Sequence, residues 1–212
     1  MIDLAPAEVR PLIEKALLRE IAAHDGRVST GFVSTHYLLQ LLADLDPEAG
    51  WRMTTSREYP SWYSMTIGSN SEQMMETWAG GQACMPSLGG SVAAWHIEAL
   101  AGIRPDPAAP GFKQIIIKPS MVGDLRWVTC WYDSTHGRIV SNWSRDDAKV
   151  IMELVIPPNT TATVHVPAGS KDTVTENGNP IGATDTVRFL RVQSGCAVYH
   201  VESGTYRFES RR

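Results

Sequence analysis

AAWHIEALAGIRPDPAAPGFKQIIIKP, residues 93–119, changes its chain period partway along. On the N-terminal side, Val92, Trp95, Ala99 and Leu100 recur at helical spacing, and Gly102 is suited to stop the helix. On the C-terminal side, FKQIIIKP opens a series of short segments in which apolar residues alternate with polar ones. Between them RPDPAAPG, residues 104–111, holds three prolines and a glycine, which break both helix and strand and read as a linker. The stretch predicts an α+β chain in two parts, a helical region over 1–104 and an antiparallel β-sandwich over 105–212.

Upstream, Pro11 suits the first turn of a helix, and Leu12, Ile13, Ala16, Leu17 and Ile21 follow at helical spacing until HDG at 24–26. STHYLLQLLADLD predicts a second helix, with Ser34 or Thr35 as its cap and Tyr37, Leu38, Leu41, Leu42 and Leu45 as its apolar stripe. PEAGWRMTTS suggests a short third. Downstream, eight short candidate strands are punctuated by THG, PPN, ENGN, QSG and ESG. In TATVHVP, Ala162, Val164 and Val166 face one way and Thr161, Thr163 and His165 the other, the pattern of a half-buried strand.

The totals exclude several classes. A formal charge of −4 with no basic run gives no footprint for nucleic acid. No apolar run reaches the roughly 18 residues that a membrane span needs. The start, MIDLAPAEVRPL, lacks the charged and apolar regions of a secretory signal, so a cytoplasmic location is expected. Cys84, Cys130 and Cys196 are odd in number, without C-x-x-C spacing, and read as reduced thiols. The histidines lack H-x-x-x-H spacing, so no metal is expected, and no cofactor signature is present. Ser91 and His96 read as a helix cap and a helix surface residue.

Chemistry concentrates in YPSWYSMTIGSNSEQMMETW, residues 59–78, which holds Trp62, Tyr63, Glu72, Glu76 and Trp78. Rings cover the apolar C–H face of a pyranose, and carboxylates serve its hydroxyls or act as acid and base. The same residues also suit a plainer reading, in which the tryptophans anchor a core and the glutamates are solvated. Trp127, Trp131 and Trp143 in the strand region raise a parallel choice between strand packing and a carbohydrate-binding face.

STGFVSTHYLLQLL, YPSWYSMTIGSNSEQMMETW, AAWHIEALAGIRPDPAAPGFKQIIIKP and IPPNTTATVHVP, taken in order, resemble the C-terminal part of bacterial α-L-rhamnosidases of glycoside hydrolase family 78. The resemblance implies that the helical region is the end of an (α/α)6 barrel and that the strands form the C-terminal β-sandwich. It implies inverting hydrolysis of terminal α-L-rhamnose by a general acid and a general base, with roughly 6.5–9.5 Å between them for a water. EQMMETW corresponds to the family's base segment and puts Glu76 on the base position, while Glu72 matches nothing catalytic. Trp62, Tyr63 and Trp78 fall among the aromatics near the sugar. Met75 stands where the family has a tryptophan. Cys84 and Met85 stand at about the place of an Asn-His pair whose histidine helps bind rhamnose.

The family's general acid lies upstream of the matching segments. The expectation is therefore a rhamnosidase-like chain without full rhamnosidase activity, with a rhamnoside-like carbohydrate as its possible ligand. Two alternatives stand beside it. One is a compact hydrolase with Glu76 as base in a cleft completed by oligomerisation. The other is a carbohydrate-binding or structural module. In HYLLQLLADL, Leu38, Leu39, Leu41 and Leu42 spread over more than one helix face, so a homo-oligomer, most simply a dimer, is expected.

Overall fold

The computed structural model describes residues 5–71, 73–75, 77–79, 90–182 and 185–211. The chain divides into two compact units, residues 1–95 and 96–212. Among the described residues the first unit holds five α-helices: α1 (Arg10–Ala23), α2 (Phe32–Leu45), α3 (Pro47–Thr55), α4 (Trp62–Met65) and α5 (Ser91–Trp95). The second holds twelve strands in two sheets, so the chain is an α+β protein with a helical region followed by a β-sandwich.

α2 forms the centre of the helical unit and packs against α3 and α5. Its buried residues are Thr35, Leu38, Leu39, Leu42 and Ala43, an i, i+3, i+4, i+7, i+8 series on one face. That stripe is rotated from the expected one, because Tyr37 is exposed and Leu39 and Ala43 turn inward. The rotation becomes possible because the Thr35 hydroxyl is satisfied locally: it donates to the Gly31 carbonyl at 2.9 Å and shares a hydrogen bond with Thr30 Oγ1 at 2.8 Å. Neither Ser34 nor Thr35 caps the helix; Gly31 occupies the N-cap and both residues lie inside the first turn. α3 is capped by Asp46, whose Oδ1 accepts from the Ala49 N–H at 2.9 Å, with Pro47 at the first helical position. Gly50 on α3 meets the Trp95 indole so closely that a Cβ there would lie 2.6 Å from the ring.

α1 does not bury the stripe expected of it. Ile21 is its one buried residue, while Leu12 and Ile13 are 68% and 52% exposed. Val33 and Tyr37 on α2 are exposed as well. The helical unit thus presents several apolar side chains to solvent.

In the second unit, one sheet has the order β1-β2-β7-β11-β10: Ile103–Pro105, Gln114–Ile117, Thr161–Pro167, Cys196–Val201 and Val187–Gln193. The other has the order β3-β5-β6-β12-β8-β9, with β4 also on β5: Trp127–Val128, Gly137–Arg145, Lys149–Ile156, Gly204–Arg211, Val174–Glu176, Asn179–Pro180, and β4 at Trp131–Ser134. Every pair is antiparallel except β2 with β7, which run parallel. The proline-rich stretch is partly strand: Ile103–Pro105 pairs with Ile115–Ile117, and the prolines of the following turn carry no ladder bond.

Strict alternation builds the core. Ala162, Val164 and Val166 of β7 meet the inward Val150, Met152, Leu154 and Ile156 of β6, with Tyr199 and Phe208 among them. Three inward polar groups are tied to backbone: Ser141 Oγ donates to the Ala101 carbonyl, Trp143 Nε1 to Leu100 and Ser210 Oγ to Pro167, each at 2.7 Å. Gly102, between those two anchor carbonyls and β1, has a φ of +74°, and a Cβ there would sit 2.2 Å from the Lys118 carbonyl carbon. Arg145 fixes the loop ahead of β3 by donating to the carbonyls of Met121, Val122, Gly123 and Leu125.

Candidate functional site

The residues expected to face a sugar in the helical unit begin at α4. Ser61 and Ser64 close a reciprocal capping box, with Ser64 N–H donating to Ser61 Oγ at 3.0 Å and Ser61 N–H to Ser64 Oγ at 3.1 Å. This fixes the first turn of α4 and with it Trp62 and Tyr63. Trp62 is only 5% exposed and meets Trp78 edge to face, with centroids 5.0 Å apart and planes at 87°. Trp78 is half-buried, and its Nε1 donates to the Thr30 carbonyl at 2.6 Å. Thr30 is the residue whose hydroxyl is joined to that of Thr35. One chain of contacts therefore runs from the first turn of α2 through Trp78 to Trp62.

Trp62 is thus packed inside the helical unit, with Trp78 edge-on against it. Tyr63 is half-buried, with the Arg57 guanidinium over its face at 5.3 Å from the centroid. Met75 is half-buried. Glu72, Glu76, Cys84 and Met85 lie outside the described residues. The arrangement brings Trp62 and Trp78 together and fixes Trp78 two residues after position 76.

Ser91, read as a cap, is the first residue inside α5; its buried hydroxyl has no partner among the described residues. Cys130 and Cys196 are free thiols whose pKa values burial pushes up. Among the described residues no three His, Cys, Asp or Glu side chains converge as metal ligands, and no helix is long and apolar enough to cross a membrane.

The sandwich unit carries several depressions. One of about 480 Å³ is bounded by Lys171, Asp172, Asp185, Arg188 and Phe189. Another of about 300 Å³ lies beside Trp127. The three sandwich tryptophans differ in burial. Trp143 is 2% exposed and hydrogen-bonded in the core, whereas Trp127 and Trp131 are 63% and 55% exposed. Sequence reasoning named these rings but gave no ligand-facing role to Asn142, Glu153 and Arg207 beside Trp127. Their outward parity on β5, β6 and β12 was the signal that could have found them.

Residues 1–99 match the family model described as bacterial alpha-L-rhamnosidase 6 hairpin glycosidase domain, which puts the helical unit among the six-hairpin glycosidases. Residues 102–180 match the bacterial alpha-L-rhamnosidase C-terminal domain. With two domains of one family matched in order, the chain belongs to the bacterial α-L-rhamnosidases.

An alpha-L-rhamnosidase of Streptomyces avermitilis is 31% identical over 219 residues, covering 98% of this chain and 20% of the relative. The crystal structure of the Streptomyces avermitilis alpha-L-rhamnosidase complexed with L-rhamnose superposes with a TM-score of 0.83 at 32% identity, over 97% of this chain and 20% of that one. The alpha-L-rhamnosidase from Dictyoglumus thermophilum gives a TM-score of 0.86 at 28% identity, over 99% and 24% of the two chains. The chain thus spans about a fifth to a quarter of the length of these relatives.

Proposed function

We propose that this chain carries the base-bearing part of an α-L-rhamnosidase site, with Glu76 as general base and Trp78 as the ring beside the sugar. Trp62 holds Trp78 in place, and Tyr63 and Met85 are assigned with them to substrate binding. The observation that carries the reading is the Thr30–Trp78–Trp62 chain, which fixes Trp78 two residues beyond Glu76 within the span matched to the six-hairpin domain. Inverting hydrolysis needs a proton donor opposite the base, since a glycosidic oxygen is a poor leaving group without one. By the family resemblance, the donor is expected upstream of the segments matched here. Each acid or base contribution is worth about 10²–10⁴-fold in rate. The chain by itself is therefore expected to bind a rhamnoside without full turnover.

The test is hydrolysis of p-nitrophenyl α-L-rhamnopyranoside by the purified chain beside Glu76→Gln. The expected result is little or no release of nitrophenol by either protein, together with rhamnose binding that Trp78→Ala weakens. Turnover abolished by Glu76→Gln would instead support the compact hydrolase. That second reading draws on the exposed Leu12, Ile13, Val33 and Tyr37, apolar side chains against which a second copy would pack to complete the cleft. Equal turnover in both proteins would remove Glu76 from the mechanism.

A further inference from the structure

The outer face of the seven-stranded sheet has the make-up of a second carbohydrate site. β5, β6 and β12 are its adjacent central strands, and their registers place Asn142 opposite Glu153 and Glu153 opposite Arg207. These three belong to the outward parity, since Trp143, Met152 and Phe208 point into the core. One row along, Ser144 is paired with Trp127 of the edge strand β3. Trp127, Thr129, Asn142, Ser144, Glu153 and Arg207 line the depression of about 300 Å³. On the other side of the Asn142 row, Trp131 of β4 is paired with Val140. Four residues of β5 separate the two tryptophan positions, roughly 13 Å at the usual rise of a strand.

An indole exposed at the rim of a polar depression, the pairing of apolar ring and polar groups that ligand sites use, is a surface on which something can pack. The polar groups indicate what. Arg207 lies 3.9 Å from Glu153 and donates to Glu209 at 3.3 Å, and Lys149 lies 3.6 Å from Glu209. Two cations and two carboxylates balance, so the face selects neither an anion nor a cation. It offers acceptors and donors in alternation, which suits a ligand whose groups do both, as hydroxyls do. Asn142 is held by the Cys130 N–H on its Oδ1 at 3.1 Å, which leaves its amide NH₂ as the donor to a ligand.

We propose that this face binds a neutral glycan, one pyranose ring lying against Trp127 with its hydroxyls served by Asn142, Glu153 and Arg207. Trp131 receives a further residue of the same glycan. Its ring is already steadied by Arg138, 5.7 Å from its centroid, which is itself held to Asp133 by two hydrogen bonds of 2.7 and 3.1 Å. The site rests on residues of the sandwich unit alone and does not depend on the role of Glu76.

Affinity electrophoresis of the intact chain in gels containing a neutral galactomannan or a neutral xyloglucan, with calorimetric titration of methyl α-L-rhamnopyranoside, tests the proposal. The wild-type chain should be retarded. Trp127→Ala should weaken binding to the polysaccharides by about tenfold or more, as loss of an aromatic anchor does. Asn142→Ala should weaken it less, and Trp78→Ala should leave the polysaccharide retardation in place. Thermal melting of Trp127→Ala should match wild type, because the ring is exposed. Retardation lost with Trp78→Ala but kept with Trp127→Ala would assign glycan binding to the helical unit and overturn the proposal. No retardation of the wild-type chain by either polysaccharide would also overturn it and point to a protein surface as the cover of Trp127.

Discussion

Tyr199 carries a hydroxyl at the centre of the sandwich that has no hydrogen-bond partner among the described residues. Its ring stacks on Phe208 at 5.6 Å and meets Phe189 at 5.8 Å, so packing rather than polarity holds it there. Burial, with the Asp172 carboxylate nearby, pushes its pKa up to about 12 from 10.0. The folded state therefore resists ionising a phenol that the unfolded chain ionises first. Stability from this group is complete below about pH 10 and is lost as pH rises towards about 12. Removing a buried unpaired polar atom avoids its desolvation cost, so Tyr199→Phe should be neutral or stabilising by about 1 kcal/mol. It should also flatten the alkaline fall in stability. Tyr206 and the thiols of Cys130 and Cys196, likewise raised by burial, keep part of that slope. Urea unfolding of both proteins from about pH 8 to about pH 12 checks this, and a destabilised variant would contradict it.

α3 is short, and its start depends on the Asp46 carboxylate over the Ala49 N–H. Asp46→Ala should cost about 1 kcal/mol of stability, and Asp46→Asn much less, because an amide oxygen still accepts. Chemical unfolding followed by far-UV circular dichroism distinguishes the two. The same helices show how far sequence periodicity reaches. α2 was legible as a helix, but its buried stripe was turned by a neighbouring position. The chain gives up Tyr37, whose hydroxyl favours water, and takes in Thr35, whose hydroxyl finds Gly31 and Thr30. Parity along the strands was more legible than the helix face, as Ala162, Val164 and Val166 show. Parity also separates Trp143 from the edge-strand Trp127, whose fates their composition could not distinguish. The parallel β2–β7 pair was illegible, because strand direction follows from long-range order rather than from alternation. Around the proposed sugar site, the motif singled out Trp62 and Trp78, which the fold packs edge to face. The Thr30 carbonyl was not, since a backbone acceptor far upstream leaves no mark in side-chain pattern.

At the scale of the molecule, the exposed Leu12 and Ile13 of α1 and Val33 and Tyr37 of α2 bear on assembly. We expect the isolated chain to sediment as a dimer at micromolar concentration. Replacing Leu12 and Ile13 together by glutamate should yield a monomer with unchanged circular dichroism, because neither side chain contributes to the core. A wild-type chain that sediments as a stable monomer would sink this expectation. The direction of β2 has a different consequence, in time rather than space. Residues 114–117 emerge from the ribosome with β1 as their one neighbour, and their other flank stays open until residues 161–167 are made. During that interval the meander of β3 to β6 can already pair with itself, since its contacts are local in the chain. One sheet is thus half built before the other acquires its middle strand, and synthesis that pauses inside this window would leave an apolar edge of isoleucines unguarded against aggregation.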